Sequence, residues 1–264
     1  MSSRCRRSTS KRGAHGDRLH RLRTPGLLVP YLGNIAAYIV RVLQSQDEPD
    51  SVLSVVTTLG DLCLSCREQM QPHIAPIMTA IIAGLEDTDY DRDLKCAFLQ
   101  CIGDIALNVL CGSNFRQFID PVMVIGHQMY QASCTIDVRG DPESEEYVLS
   151  LWHSLCEMYS NVIQSASTDD VMTVAGYFGN VVQLVFTVTG KAAEEDTFFK
   201  ALALLGDLAS VVGKSNQQLR HMGRSALLTQ EVSALLHKAH QTYRQKDQQK
   251  QIRWVQRCLN DLQR

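Results

Sequence analysis

No run of apolar residues in the 264-residue chain reaches the roughly 18–20 positions that a membrane-spanning helix needs, because Arg41 and Gln44 close the best candidate. Absent too is the charged, then apolar, then small-residue layout of a secretory signal. The nine cysteines are odd in number and scattered singly, which excludes a secreted disulfide scaffold. Most lie among helix-forming apolar residues and read as reduced core thiols of a cytosolic or nuclear protein. Charged side chains make up only 20% of the chain against 45% hydrophobic, a balance that excludes a disordered polymer. What is there suffices for one large domain or a short repeat array.

The formal net charge of −2 conceals an asymmetry. Residues 1–24 carry eight basic groups and one acid, residues 25–236 have a net charge of −14, and residues 237–264 have +5. A body at −14 attracts basic partners and repels nucleic acid and anionic lipid, so neither is an expected ligand. The basic head lacks apolar periodicity and reads as a disordered leader or a wrongly placed start of the reading frame. The functional alternatives for it are a nucleic-acid patch, a nuclear-localisation signal or an Arg/Ser-rich organelle presequence.

Internal repetition organises the remainder. Leu59-Gly60-Asp61-Leu62, Ile102-Gly103-Asp104-Ile105 and Leu205-Gly206-Asp207-Leu208 are one motif in three places. The first two Gly-Asp pairs lie 43 residues apart, and the prolines that follow, Pro76 and Pro121, lie 45 apart. Leu151–Ile163 fills the gap before the third copy without a Gly-Asp. Each unit reads as two amphipathic helices. In the second unit, helix A runs from about Asp93 to Val109, stopped by Cys111-Gly112-Ser113-Asn114. Helix B starts near Asp120, with Pro121 in its first turn.

Helix pairs at this period predict an all-α HEAT-repeat solenoid, a right-handed superhelical array over residues 25–264. The expected pairs are 50–86, 91–134, 145–189 and 196–241. A B helix at about 26–46 precedes them and a terminal helix at 248–262 follows. The β-branched run Val181–Val188 is assigned to helix because a solenoid offers a strand no partner.

Acids gather in the B-to-A connections, which hold sixteen of them against Arg92, Arg139 and Lys191. Among them are Glu86, Asp87, Asp89, Asp91, Asp137, Asp141, Glu143, Glu145 and Glu146; the A-to-B turns are neutral. Successive connections of one kind fall along one edge of a solenoid, so the pattern predicts an acidic rim. Acids just before a helix also favour its positive end, which accounts for one or two per connection but not five. The remainder suits a basic ligand.

Motifs for chemistry fail one by one. Cys63 and Cys66 form a CxxC inside a helix, with no second pair to complete a zinc site. Asp87-Thr88-Asp89-Tyr90-Asp91 opens like a calcium loop, yet Arg92 stands where glycine is needed and Phe98 where glutamate is. Gly213-Lys214-Ser215 ends like a phosphate loop whose upstream glycine is Leu208. His237 and His240 lack a third ligand nearby, and no Ser or Cys shows a nucleophile's setting. No catalytic residue, metal or cofactor is assigned. Trp152 falls in the middle of an apolar stripe and reads as core. Trp254 lies off the stripe of Ile252, Val255, Leu259 and Leu262, beside Arg257. It reads either as part of a lid over the last repeat or as an aromatic face for a ligand cation.

In order along the chain, several segments resemble the C-terminal HEAT repeats of the importin-β family. They are Leu59-Gly60-Asp61-Leu62-Cys63, Ile102-Gly103-Asp104-Ile105-Ala106-Leu107, Glu157-Met158-Tyr159 before Val162-Ile163-Gln164, Leu205-Gly206-Asp207-Leu208, and the ending Trp254-Val255-Gln256-Arg257-Cys258-Leu259-Asn260-Asp261-Leu262-Gln263. The resemblance implies a non-catalytic nuclear import receptor of cytoplasm, nucleus and nuclear pore. Its B helices would bind the importin-β-binding segment of importin-α or a basic cargo, and its A-helix grooves would bind Phe-Gly nucleoporins. It also implies that Trp254, Asp120 and Glu231 contact that basic ligand, and that Asp61, Asp104 and Asp207 bond between repeats. The family's RanGTP surface lies mainly in repeats that precede this region, so most of that site is expected to be missing. A HEAT scaffold of another assembly is the alternative reading.

Overall fold

The computed structural model describes residues 25–264 apart from 46–48, 88–89, 111–112, 168 and 192–193. The basic head, Asp47, Glu48, Asp89 and the predicted Cys111-Gly112 stop therefore lie outside the described residues. Among the described residues every regular element is helical. The α-helices are α1 (Pro25–Leu28), α2 (Leu32–Leu43), α3 (Pro49–Cys66), α4 (Ile74–Glu86), α5 (Arg92–Asn108), α6 (Arg116–Ser133), α7 (Pro142–Ser165) and α8 (Val171–Ala175). They continue as α9 (Phe178–Lys191), α10 (Glu195–Gly213), α11 (Gln217–Leu227), α12 (Gln230–Thr242) and α13 (Lys246–Gln263).

Two layers result. An A layer stacks α3, α5, α7, α10 and α13 in sequence order, and a B layer runs α2, α4, α6, then α8–α9, then α11. Local chemistry sets the starts. Asp91 accepts the Asp93 amide (2.8 Å) at the head of α5, and Asp141 accepts that of Ser144 (3.2 Å) ahead of Pro142 in α7. Asn216 and Thr229 cap α11 and α12 in the same way. The second cap lies within the last B segment, which is why that helix is split in two.

Two sequence expectations shift. Helix α6 starts at Arg116 rather than near Asp120, so Pro121 sits inside it and leaves one carbonyl without its amide. Burial of Phe115, Phe118 and Ile119 in the preceding turns outweighs that loss. The third pair's B segment is also broken, with α8 separated from α9 at Gly176-Tyr177. The Val181–Val188 run is helical within α9.

The Gly-Asp motif explains how the A helices approach one another. A Cβ on Gly103 would stand 2.9 Å from Asn161 Nδ2 and 3.3 Å from the Met158 Cα of α7. One on Gly206 would stand 2.4 Å from the Trp254 ring of α13. Each glycine thus faces the following A helix. The aspartate beside it faces back: Asp104 Oδ2 lies 3.1 Å from the Cβ position of Gly60, and Asp207 accepts from Ser160 Oγ and from Gln164 Nε2 (2.9 Å) on α7. In α7 the same register is filled by Ser160, bonded forward to Asp207, and Asn161, packed back on Gly103. The gap in the sequence repeat is therefore a substitution of one small-polar pair for another. Asp61 is exposed on α3.

Trp152 is buried and donates from Nε1 to Ser133 Oγ at 2.8 Å, joining α7 to the end of α6. Cys63, Cys66, Cys96, Cys101 and Cys156 are buried free thiols, and burial pushes Cys63 up to about 12.

Gly206→Ala is expected to destabilise by about 1–3 kcal/mol, since the half-buried Trp254 ring cannot retreat without opening the A layer. Gly213→Ala at the end of the same helix meets nothing within 4 Å and serves as the control, neutral or slightly stabilising in urea denaturation. Burial raises the Asp207 carboxyl to about 6 from an ordinary value near 3.8, despite the Ser160 and Gln164 bonds. Because the folded value is the higher one, the contribution is present below the unfolded value and lost as pH rises through about 6. Wild type should lose about 2–3 kcal/mol from this group between pH 4 and pH 7. Asp207→Asn should flatten that part of a pH-resolved denaturation series.

Candidate functional site: an acidic edge

The A-helix starts are tied together along one edge of the molecule. Tyr90 Oη donates to the Leu43 carbonyl (2.7 Å), bringing the connection after α4 to the end of α2. Arg92 at the head of α5 donates to Ser144 Oγ (3.1 Å) and lies 4.9 Å from the Tyr147 ring centroid of α7. His153 of α7 meets Thr197 (3.4 Å) and Asp196 (3.7 Å) of α10, and Gln248 of α13 donates to Glu195. The B-to-A connections consequently share an edge, and their acids come with them.

Within that edge the acids have different duties. Asp91 and Asp141 cap helices, and the Ser144 hydroxyl and amide hold the Asp141 carboxyl below its ordinary range. Asp137 takes a bidentate pair from Arg139, with both contacts at 2.9 Å, and is lowered by it. Asp87 is half-buried beside Tyr90. Glu86, Glu143, Glu145 and Glu146 are exposed. Among the described residues no basic side chain pairs with these four. Glu143 and Glu145 stand in the first turn of α7, where the helix end favours them.

Helix register adds a feature invisible to periodicity. The third residue of α7, Ser144, meets the first residue of α5, whereas the third residue of α10, Thr197, meets the twelfth residue of α7, His153. By the helical rise of 1.5 Å per residue, the start of α7 projects about 13 Å past the start of α10. The projecting turns carry Glu143, Glu145 and Glu146. The opposite edge differs in kind: there Arg116 Nε pairs with the fully buried Asp170 at 2.7 Å, cancelling an acid of the A-to-B turn.

The other predicted contacts are separate from this edge. Asp120 lies exposed on α6 and accepts from Tyr177 Oη (2.8 Å). Glu231 sits in the first turn of α12, where its own amide and Thr229 hold its carboxyl below the usual value. Trp254 is half-buried in the A layer on Gly206. No hydrogen bond or ion pair among the described residues joins these three. No group of three or more His, Cys, Asp or Glu suited to a metal occurs among the described residues, and no described helix is long and apolar enough to cross a membrane.

Comparison with known proteins accords with this architecture. Importin subunit beta-1 of Schizosaccharomyces pombe is 27% identical over 185 residues, which is 68% of this chain and 20% of that protein. The chain thus spans about a fifth of the length of this curated relative. A crystal structure of importin β superposes with a TM-score of 0.74 at 20% identity, over 89% of this chain and 26% of the other. A Kap95:Nup1 complex gives 0.71 at 20% identity, over 89% and 26%. The family model for importin subunit beta-1-like TPR repeats matches residues 26–238, and on that extent the chain belongs to the importin-β family.

Proposed function

We propose that this chain is the ligand-binding part of a nuclear transport receptor and that its acidic edge takes a basic helical segment. That segment would be the N-terminal importin-β-binding segment of importin-α or a basic cargo. The observation that carries the reading is the overhang of α7, with Glu143, Glu145 and Glu146 exposed and unmatched by any described base. Capping accounts for Asp91 and Asp141, and a local ion pair for Asp137, but neither employs these three glutamates. Carboxylates fixed on a rigid helix attract a Lys/Arg-rich helix at long range and release it as salt rises.

A ligand long enough to run across several repeats would also meet Asp120 on α6 and Glu231 on α12, and the accessible part of Trp254 offers it a stacking surface. Phe-Gly nucleoporins are a second expected class of partner, supported by the likeness to a Kap95 solved with Nup1. The role is non-catalytic, and receptor traffic between cytoplasm and nucleus follows from it.

The test is titration of a fluorescently labelled importin-α N-terminal segment with the full chain at low and moderate salt. Saturable binding that weakens with salt is expected, about tenfold weaker for the triple variant Glu143→Gln, Glu145→Gln, Glu146→Gln. The substituted positions are exposed, so the fold should persist. Absence of saturable binding by the folded protein, or indifference to the triple substitution, rejects the reading. The former would favour a HEAT scaffold of another assembly.

A further inference from the structure

At the other end of α13 the charge is reversed. The helix starts beside Glu195 on the acidic edge, and its 18 residues carry its last turn about 27 Å away, against α11. Between α11 and the last residue lies an open cleft of about 960 Å³. Arg220, Arg224, Arg264 and His221 line it with Gln217 and Gln218, and no acidic side chain does so. Among the described residues the ion pair that touches the lining is that of Asp261 with Arg264, 3.5 Å apart with both side chains mostly exposed.

The arginines differ in how their donors are used. Arg224 Nε donates to the Leu262 carbonyl at 2.7 Å, closing the end of α13. Arg220 has only a long contact from Nη2 to the Asp261 carbonyl, 3.5 Å, and its Nε is buried without an acceptor among the described residues. Most of that guanidinium's hydrogen-bonding capacity is uncommitted. Met222, also on the lining, is 38% exposed and supplies a polarizable apolar surface beside the cations.

We propose that this cleft binds an acidic peptide segment, with carboxylates on Arg220 and Arg264 and an apolar side chain on Met222. Guanidinium forks match carboxylates in a planar, two-bonded geometry. The volume admits a few residues of an extended peptide. A polynucleotide continuing beyond the cleft would instead meet the net −14 of residues 25–236. This site is independent of the basic-ligand reading, because it occupies the other edge and attracts the opposite charge.

The probe is a short fluorescein-labelled peptide of glutamates around a single leucine, titrated into the full chain and followed by anisotropy. Saturable binding is expected, with none for the glutamine analogue. The double variant Gln217→Glu, Gln218→Glu places acids at exposed first-turn positions of α11 that favour the helix, so it should stay folded and bind about tenfold more weakly. Arg220→Ala tests the direct contact, with circular dichroism to confirm the fold. Failure to saturate, equal binding by the double variant, or tighter binding of single-stranded RNA of equal charge would overturn the proposal.

Discussion

Close approach of successive A helices is the constraint on which the rest of this molecule depends. A helix pair cannot bury both of its faces, so each unit needs its neighbours. The neighbours meet where a residue without a Cβ, or a small one, faces forward and a polar one faces back. Gly103 admits Asn161 and the α7 backbone, and Gly206 admits the ring of Trp254. Behind them Asp104 reaches Gly60, and Asp207 reaches Ser160 and Gln164. Burial makes Asp207 costly as an anion, which is consistent with a role in fixing register rather than in adding stability.

That register carries the charge pattern. Because the A helices stack head beside head, the acids that precede them are gathered on one edge, while their C-terminal ends carry the other. Capping and local pairing employ only some of the acids. The surplus concentrates on the start of α7, which projects because its partner α10 begins later along the shared axis. At the far end of α13 the same alternation leaves arginines together with no lining acid. One stacked array thus presents an acidic edge and an opposite edge that is neutral along the A-to-B turns and basic only at the end of α13.

Much of this was legible in residue order. The spacing of the Gly-Asp pairs implies helix pairs, the apolar stripes imply which faces are buried, and the acids cluster visibly between pairs. Trp152 at the centre of its stripe is core. Other features were hidden for physical reasons. Ser160-Asn161 does the work of Gly-Asp with different atoms, so identity of residues could not reveal it. Pro121 marks a helix start by propensity, but the burial of Phe115 and Phe118 carries α6 back by more than a turn. Trp254, Asp120 and Glu231 each fit a binding residue by type, yet they lie on three different helices with no hydrogen bond or ion pair among them.

By itself the sequence determined the helical period, the apolar faces, the caps and the unequal placement of acids and bases, since all of these are properties of residues within one or two turns of each other. The tertiary structure decided how far each helix slides along its neighbour, and with it the overhang of α7, the cover that Trp254 places on Gly206, and the meeting of Arg220 with the end of α13. Those outcomes join residues some 40 to 55 positions apart. They depend on which side chains fit across an interface, a matter of packing that no local pattern encodes.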